Sequence, residues 1–372
     1  MTVLEARDRV GGRVRSSTLE NGATVELGAE FVLPGHDLLR STAARLGLSL
    51  YEKGTLYGDR EPRGGAGVTR DELLAGVARL GTAGAEGTLT QALDRLELQP
   101  GVREAIVSRI EVSTAYPAGD QAATVLAAGA AGFGGFPSHG VAGGNQRLAE
   151  ALARRLGDRV RLGSAVERIE WSERGVRVAG LAADACVVAV PARVIGRIAF
   201  DPALPDWKAA ALGAVCYGQA AKLFLPLAEP AAPSATLSVP GRFWVYTQRA
   251  PDGSPLPVAA AFAGTAAAIE RLGAEWPRRV RELRPDLAIV ADAKPVLSTW
   301  HDDPWAGAAY SARSLASPLD DDALAAAVGP LVFAGEHTAA NWHGLMEGAL
   351  RSGVRAAEDV RHVLDSQAWL TG

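Results

Sequence analysis

Apolar residues recur along this chain with two periods. Alternating runs at Ala220–Leu227, Ala235–Val239, Phe243–Gln248 and Val258–Ala263 predict four strands of an antiparallel sheet with one face covered. A period near 3.6 predicts helices at His36–Leu46, Arg70–Leu80, Leu89–Leu96, Gly101–Ser113, Asn145–Leu156, Pro205–Ala214, Thr265–Leu272 and Glu275–Leu283. The strongest helical stripe runs over Gly344–Leu364, with Leu345, Ala349, Leu350, Gly353, Ala356, Ala357, Val360 and Leu364 on one side. Shorter apolar runs predict strands at Thr2–Ala6, Arg13–Thr18 and Ala23–Glu26, the last two joined by the turn Glu20-Asn-Gly22. Further strands are expected at 160–162, 166–171, 176–179, 185–190, Pro295–Trp300 and Leu331–Ala334. Residues 48–69 show no period and carry glycine and charge, the pattern of an irregular, mobile surface insertion. Ala122–Gly144 reads as a glycine/alanine-rich crossing segment.

Composition narrows the class. The 372 residues suffice for a large core and two domains, and 48% hydrophobic with 22% charged residues is an ordinary soluble balance. A net charge of −4 gives no electrostatic reason to bind nucleic acid or an anionic membrane. Cys186 and Cys216 form neither a metal spacing nor a disulfide framework, and no secretory or membrane-spanning run is present, so a cytoplasmic location is expected.

The chemistry starts at Thr2-Val-Leu-Glu-Ala-Arg-Asp-Arg-Val-Gly-Gly-Arg-Val14. An acid at the tip of the second strand of a dinucleotide fold accepts hydrogen bonds from a ribose, and Glu5 has that place after a short apolar strand. Glu5 alone also fits a solvated strand end. The glycines Gly11 and Gly12 let backbone amides approach a pyrophosphate, and Arg7 and Arg13 bring positive charge. The phosphate-cradling G-x-G-x-x-G belongs about twenty residues before such an acid. Only four residues precede Glu5, so the chain is expected to open in the middle of a nucleotide site.

The run V-L-E-A-R-D-R-V-G-G-R resembles the second-strand signature of the flavin-containing amine oxidases. Phe333-Ala-Gly-Glu-His-Thr-Ala-Ala-Asn-Trp-His-Gly-Leu-Met-Glu-Gly-Ala349 resembles the closing motif of the same family. The resemblance implies that Glu5, Ala6, Arg7, Gly11, Gly12 and Arg13 hold the ribose and phosphates of FAD. It places Gly335 and Glu336 at the ribityl or pyrophosphate part, and Leu345 and Met346 at a helix start facing the flavin ring. Gly28, Ala29 and Glu30 match the loop beside the flavin, Val166 the segment at the adenine, and Val190 the strand returning to the cofactor. Lys222 interrupts an apolar run. It reads either as an edge-strand lysine facing water or, by resemblance, as the lysine that holds a water near the flavin and assists reoxidation by O2. The stretch Trp300–Tyr310 resembles the substrate-side element, which makes Tyr310 a wall of an aromatic cage, puts Trp300 beside the reacting amine and Trp305 against the cofactor. These three aromatics also fit a plain core.

Two departures qualify the resemblance. Leu345 stands where a second cage tyrosine is often found, and Ala309 where members with covalent flavin carry cysteine, so FAD is expected to bind without a covalent bond. No acid marks an anchor for a substrate ammonium, and His337 and His343 are further candidates to face the pocket. The expected fold is α/β: a glutathione-reductase-like FAD-binding domain, N-terminally truncated, with an α+β substrate domain containing an antiparallel sheet. Residues 1–47, 143–205 and 325–372 fall to the FAD-binding domain, and 48–142 and 206–324 to the substrate domain. The implied activity is FAD-dependent oxidation of an amine C–N bond to an imine, with O2 reoxidising the flavin to H2O2. The partners are a small amine and O2, with no metal, nucleic acid or membrane; oligomeric state is not set by the sequence. Two other readings stay open, a truncated non-catalytic flavoprotein remnant or interaction scaffold, and the same fold working as a desaturase or protoporphyrinogen-oxidase-like enzyme.

Overall fold

A computed structural model describes residues 1–65, 67–82, 86–127 and 132–371. Residues 128–131 of the expected crossing segment lie outside the described residues.

Two parallel strand pairs carry the nucleotide-type segments. Val3–Leu4 pairs with Val160–Arg161, and Cys186–Val188 with Leu331–Phe333. Parallel neighbours need long crossovers, so each pair joins distant stretches of chain. The C-terminal helix Met346–Thr371 lies against the second pair, where Val332, Ala334 and Ala356 are buried together. The strands Ser16–Thr18 and Thr24–Glu26 form the expected hairpin. Helix Asp37–Arg45 buries Leu39 and Ala43 beside Val141 and Leu148, and Gly47 after it takes φ +72°, the left-handed geometry of a C-terminal stop. Of the four strands expected over 160–190, only two share a sheet: Arg168–Ser172 and Gly175–Val178 run antiparallel and continue to Leu181–Ala183, with Ala199–Asp201 joining in parallel, whereas Val160–Arg161 and Cys186–Val188 belong to the two parallel pairs.

The largest sheet has six strands in the order Val296–Thr299, Ala220–Pro226, Val258–Gly264, Phe243–Thr247, Ser234–Ser238, Glu61–Arg63. The expectation of one covered face is corrected here, because the central strands are buried throughout. Their period of two feeds two cores. Phe224, Trp244, Tyr246 and Ala260 pack toward Ile106 and Ile110 of helix Pro100–Thr114. Leu223, Leu225, Phe243, Val245 and Ala261 pack toward Leu272, Trp276 and Val280 on the opposite face. Each large side chain so buried contributes about 2 kcal/mol of hydrophobic stabilisation. Lys222 shares the face of Phe224. Its strand has neighbours on both sides, Val258–Gly264 and Val296–Thr299, so the edge-strand reading of this lysine does not hold.

The second correction concerns residues 48–69. Leu50–Glu52 pairs with His139–Val141, and Glu61–Arg63 closes the large sheet as a parallel edge strand. Lys53, Thr55 and Arg60 are buried. Lys53 and Arg60 turn inward while Glu52, Glu61 and Arg63 stay exposed, so charge density there does not by itself mark a surface loop. Among the described residues no helix is long and apolar enough to cross a membrane.

Candidate active site

A cavity of about 1460 Å³ opens between the parallel pairs and the large sheet. Pockets for a single small ligand typically hold on the order of 300–1,000 Å³, so there is room for a dinucleotide and a substrate. Its nucleotide side lies where parallel strands end: Glu5 follows Val3–Leu4, Val190 follows Cys186–Val188, and Gly335 and Glu336 follow Leu331–Phe333. The carboxyl ends of parallel strands are where open α/β sheets bind ligands.

The N-terminal segment is braced from the far end of the chain. Glu5 Oε1 accepts the Arg7 amide at 2.9 Å. The Arg7 guanidinium forks onto Asp303 at 2.6 and 2.7 Å and lies over the Trp300 ring. The charge assigned to phosphate is therefore already balanced by Asp303, a partner the sequence did not mark. Arg13 donates to Ala309 O at 2.8 Å and to Glu336 Oε1 at 3.0 Å. Gly11 sits at φ +103°, and a Cβ there would meet Val14 O at 2.7 Å. Gly28 passes so close under Arg13 that a Cβ would lie 1.9 Å from the Arg13 carbonyl oxygen. Ala6, Ala29, Val166, Leu345 and Met346 all line the cavity, as does Trp305, which is 38% exposed.

Glu336 is the hub of the C-terminal wall. It accepts from Arg13, from the Ser311 amide at 3.1 Å and hydroxyl at 2.5 Å, and from the Gly344 amide at 2.6 Å. Burial alone would raise its pKa; Arg13 and these donors overcome that and hold it at about 2. Ala309 lines the cavity and neither cysteine does, so no thiol is placed to tether a flavin. His343 lines it too, with Nδ1 3.3 Å from Ser311 O. His337 is buried away from the lining, and among the described residues neither of its ring nitrogens has a hydrogen-bond partner.

On the sheet side, Lys222 Nζ donates to Glu26 O at 2.9 Å, Gly28 O at 2.7 Å and Glu30 Oε2 at 2.6 Å. All three ammonium hydrogens thus have protein acceptors. Glu30 also receives Tyr246 O–H, Gln248 Nε2 and Lys53 Nζ. Burial pushes its pKa up, but the Lys222 and Lys53 ammoniums dominate and hold it at about 2. Trp300 donates its indole N–H to Leu27 O at 3.1 Å, and Tyr310 its hydroxyl to Ser113 O at 2.9 Å. Both rings border the cavity. Sequence reasoning missed Tyr57, Arg60 and Trp244, which also border it. The period-two pattern placed Trp244 and Tyr246 on one face of their strand, and that signal could have pointed to them.

The residues present fit FAD. Among the described hydrogen bonds, the amides of Gly11, Gly12 and Arg13 donate to no protein acceptor, which leaves them for phosphate. Glu5 stands at a strand tip for a ribose. The long helix begins at Met346 on the cavity wall, where its positive end favours negative charge.

Comparison with known proteins agrees. The sequence profile of the family described as flavin containing amine oxidoreductase matches residues 1–106 and 116–361. The chain belongs to this family. Polyamine oxidase 2 of Arabidopsis thaliana is 29% identical over 96% of this chain and 82% of its own length. Amine oxidase [flavin-containing] B of Mus musculus is 25% identical over 98% of this chain and 82% of its own. A solved putrescine oxidase bound to putrescine superposes with a TM-score of 0.82, at 23% identity, over 97% of this chain and 93% of that one. Membership in the flavin-containing amine oxidoreductases makes FAD the cofactor of this protein.

Proposed function

We propose that this protein oxidises an amine to an imine and passes the electrons to O2. The observation that carries this reading is one continuous cavity joining the nucleotide-side residues Glu5, Arg13 and Glu336 to an aromatic wall of Tyr57, Trp244 and Tyr310. FAD held by Glu5, Arg13 and Glu336 would supply the acceptor for a hydride from the amine carbon and the two electrons that reduce O2 to H2O2, leaving the imine to hydrolysis. The protein supplies placement and charge. The aromatic faces receive an amine, and a neutral nitrogen needs no side-chain base to give up a hydride. The start of the helix at Met346 on the cavity wall would favour negative charge on a group held there. Lys222 fixes the Gly28–Glu30 loop on the cavity wall; with all three of its hydrogens given to protein acceptors it has none left to hold a water for oxygen reduction.

The test is reconstitution of the purified chain with FAD, followed by a peroxide assay on primary, secondary and polyamines. A yellow protein that makes peroxide with one of these supports the reading. A yellow protein that makes none with any amine overturns it in favour of another oxidation on the same fold. A chain that stays colourless in excess FAD points to a non-catalytic scaffold.

A further inference from the structure

We infer that the amine this enzyme takes also carries a carboxylate, and that Arg60 binds it. The inference deepens the proposed function and rests on it.

Arg60 is 3% exposed, yet it borders the cavity. Its guanidinium packs into the corner of two rings set at 84° to each other, with Cζ 3.7 Å from the Trp244 centroid and 4.7 Å from that of Tyr57. Nε donates to Tyr57 O at 3.1 Å, whereas the buried Nη1 has no partner among the described residues. The other cations on the cavity wall are matched: Arg7 by Asp303, Arg13 by Glu336, Lys222 by Glu30, Arg313 by Asp321. No acid pairs with Arg60 among the described residues, and the remaining positions, 66, 83–85, 128–131 and 372, are all alanine or glycine. A second buried cation stands close behind. Arg109, 1% exposed, donates to Ser113 Oγ and Gly132 O and likewise lacks an acid.

A buried guanidinium without an anion is costly, and the cost falls when a ligand brings the missing charge. With Nε given to Tyr57 O, the end of the fork with the two terminal nitrogens is what matches a carboxylate, with two parallel N–H donors to two oxygens. Glu30 already faces two ammoniums, Lys53 and Lys222, so it has no charge to offer a substrate cation. The distal ammonium of a diamine would meet Arg60 and be repelled. Tyr310 and Arg60 line the same cavity, so one molecule can reach both the aromatic wall and the guanidinium. Amino acids and ω-amino acids share the required chemistry.

The experiment compares substrates matched in length on the FAD-loaded enzyme: 5-aminopentanoate, pentylamine and cadaverine, and leucine against isopentylamine. The carboxylate member of at least one set is expected to exceed its neutral and dicationic partners in kcat/KM by on the order of tenfold or more. In Arg60→Gln the ratio of carboxylate to neutral substrate falls on the order of a hundredfold, the size of losing one partner of a buried charge pair. Arg60→Lys keeps the cation without the fork and gives an intermediate ratio, which separates recognition from a folding defect. Calorimetric titration with pentanoate, which cannot be oxidised, should show binding to the native protein and none to Arg60→Gln. Preference for cadaverine in the matched set, or equal pentanoate binding by both proteins, overturns the inference. If no amine of any charge is oxidised, the amine reading fails and the pentanoate titration alone decides the Arg60 site.

Discussion

The Lys222 ammonium stands 2.6 Å from Glu30 Oε2 and ties the middle of the large sheet to the Gly28–Glu30 loop on the cavity wall. Glu30→Gln would leave Lys53 and Lys222 buried with no anion between them. The expected loss is about 3–5 kcal/mol, the cost of an uncompensated buried charge. Lys222→Met should cost less, because Lys53, Tyr246 and Gln248 still serve Glu30. Urea unfolding midpoints check the order, and a smaller loss in Glu30→Gln than in Lys222→Met contradicts it.

Acid should weaken the fold over a wide window. Burial holds His36 and His337 at about 4, against 6.5 for an ordinary histidine. Glu30 and Glu336 lie at about 2 against 4.5. Unfolded, all four groups bind protons at higher pH than when folded, so stability is lost as pH falls, first between 6.5 and about 4, then between 4.5 and about 2. Each carboxylate contributes on the order of 3 kcal/mol to this loss. Glu26, raised by burial, opposes the trend. Melting temperatures from pH 8 to 3 test the shape, and His337→Phe should flatten its upper part.

Gly28→Ala places a methyl 1.9 Å from the Arg13 carbonyl oxygen, and the backbone has to move. A loss of about 3 kcal/mol or more is expected, at the high end for overpacking because the obstacle is main chain. Gly12→Ala serves as the control. Nothing lies within 4 Å of its added Cβ, and only the φ of +55° resists, for a cost of about 1 kcal/mol. Comparable losses in the two variants would contradict this geometry.

Glu336→Gln replaces an acceptor of four hydrogen bonds with a group that carries its own N–H donors. Arg13 loses its ion partner and the Ser311 and Gly344 amides compete for one oxygen. FAD affinity is expected to fall on the order of a hundredfold, the cost of one broken buried charge pair. Titration of the apoprotein by quenching of flavin fluorescence measures it; unchanged affinity would remove Glu336 from the cofactor site.

Much of this molecule could be read before its structure. Runs such as Phe243–Gln248 have few ways to be anything but strand, and the helical stripe after Gly344 is long enough to be unambiguous. Glu5 could be placed at the cavity from the order of strand, acid and glycine turn, and Glu336 from the resemblance of the Phe333–Ala349 motif. The pairing of charges was not, since a one-dimensional pattern cannot say that Arg7 meets Asp303 or that two lysines share Glu30. The same limit misplaced residues 48–69. Lys53 and Arg60 look solvated in sequence, and only the three-dimensional fold shows the carboxylate and the aromatic rings that let them go inside. The covered second face of the large sheet was masked in another way. Continuous apolar runs such as Leu223–Leu225 erase the alternation that distinguishes a wet face from a dry one.

The links Arg7–Asp303 and Arg13–Ala309 each join residues 296 positions apart. Contacts this distant in sequence form late, after the loop-closure entropy of most of the chain has been overcome. During synthesis the N-terminal half of the nucleotide site leaves the ribosome long before the segment that braces it exists. Cofactor capture is therefore a closing event of folding, and protein made faster than FAD is supplied should accumulate with this seam open and exposed to proteases.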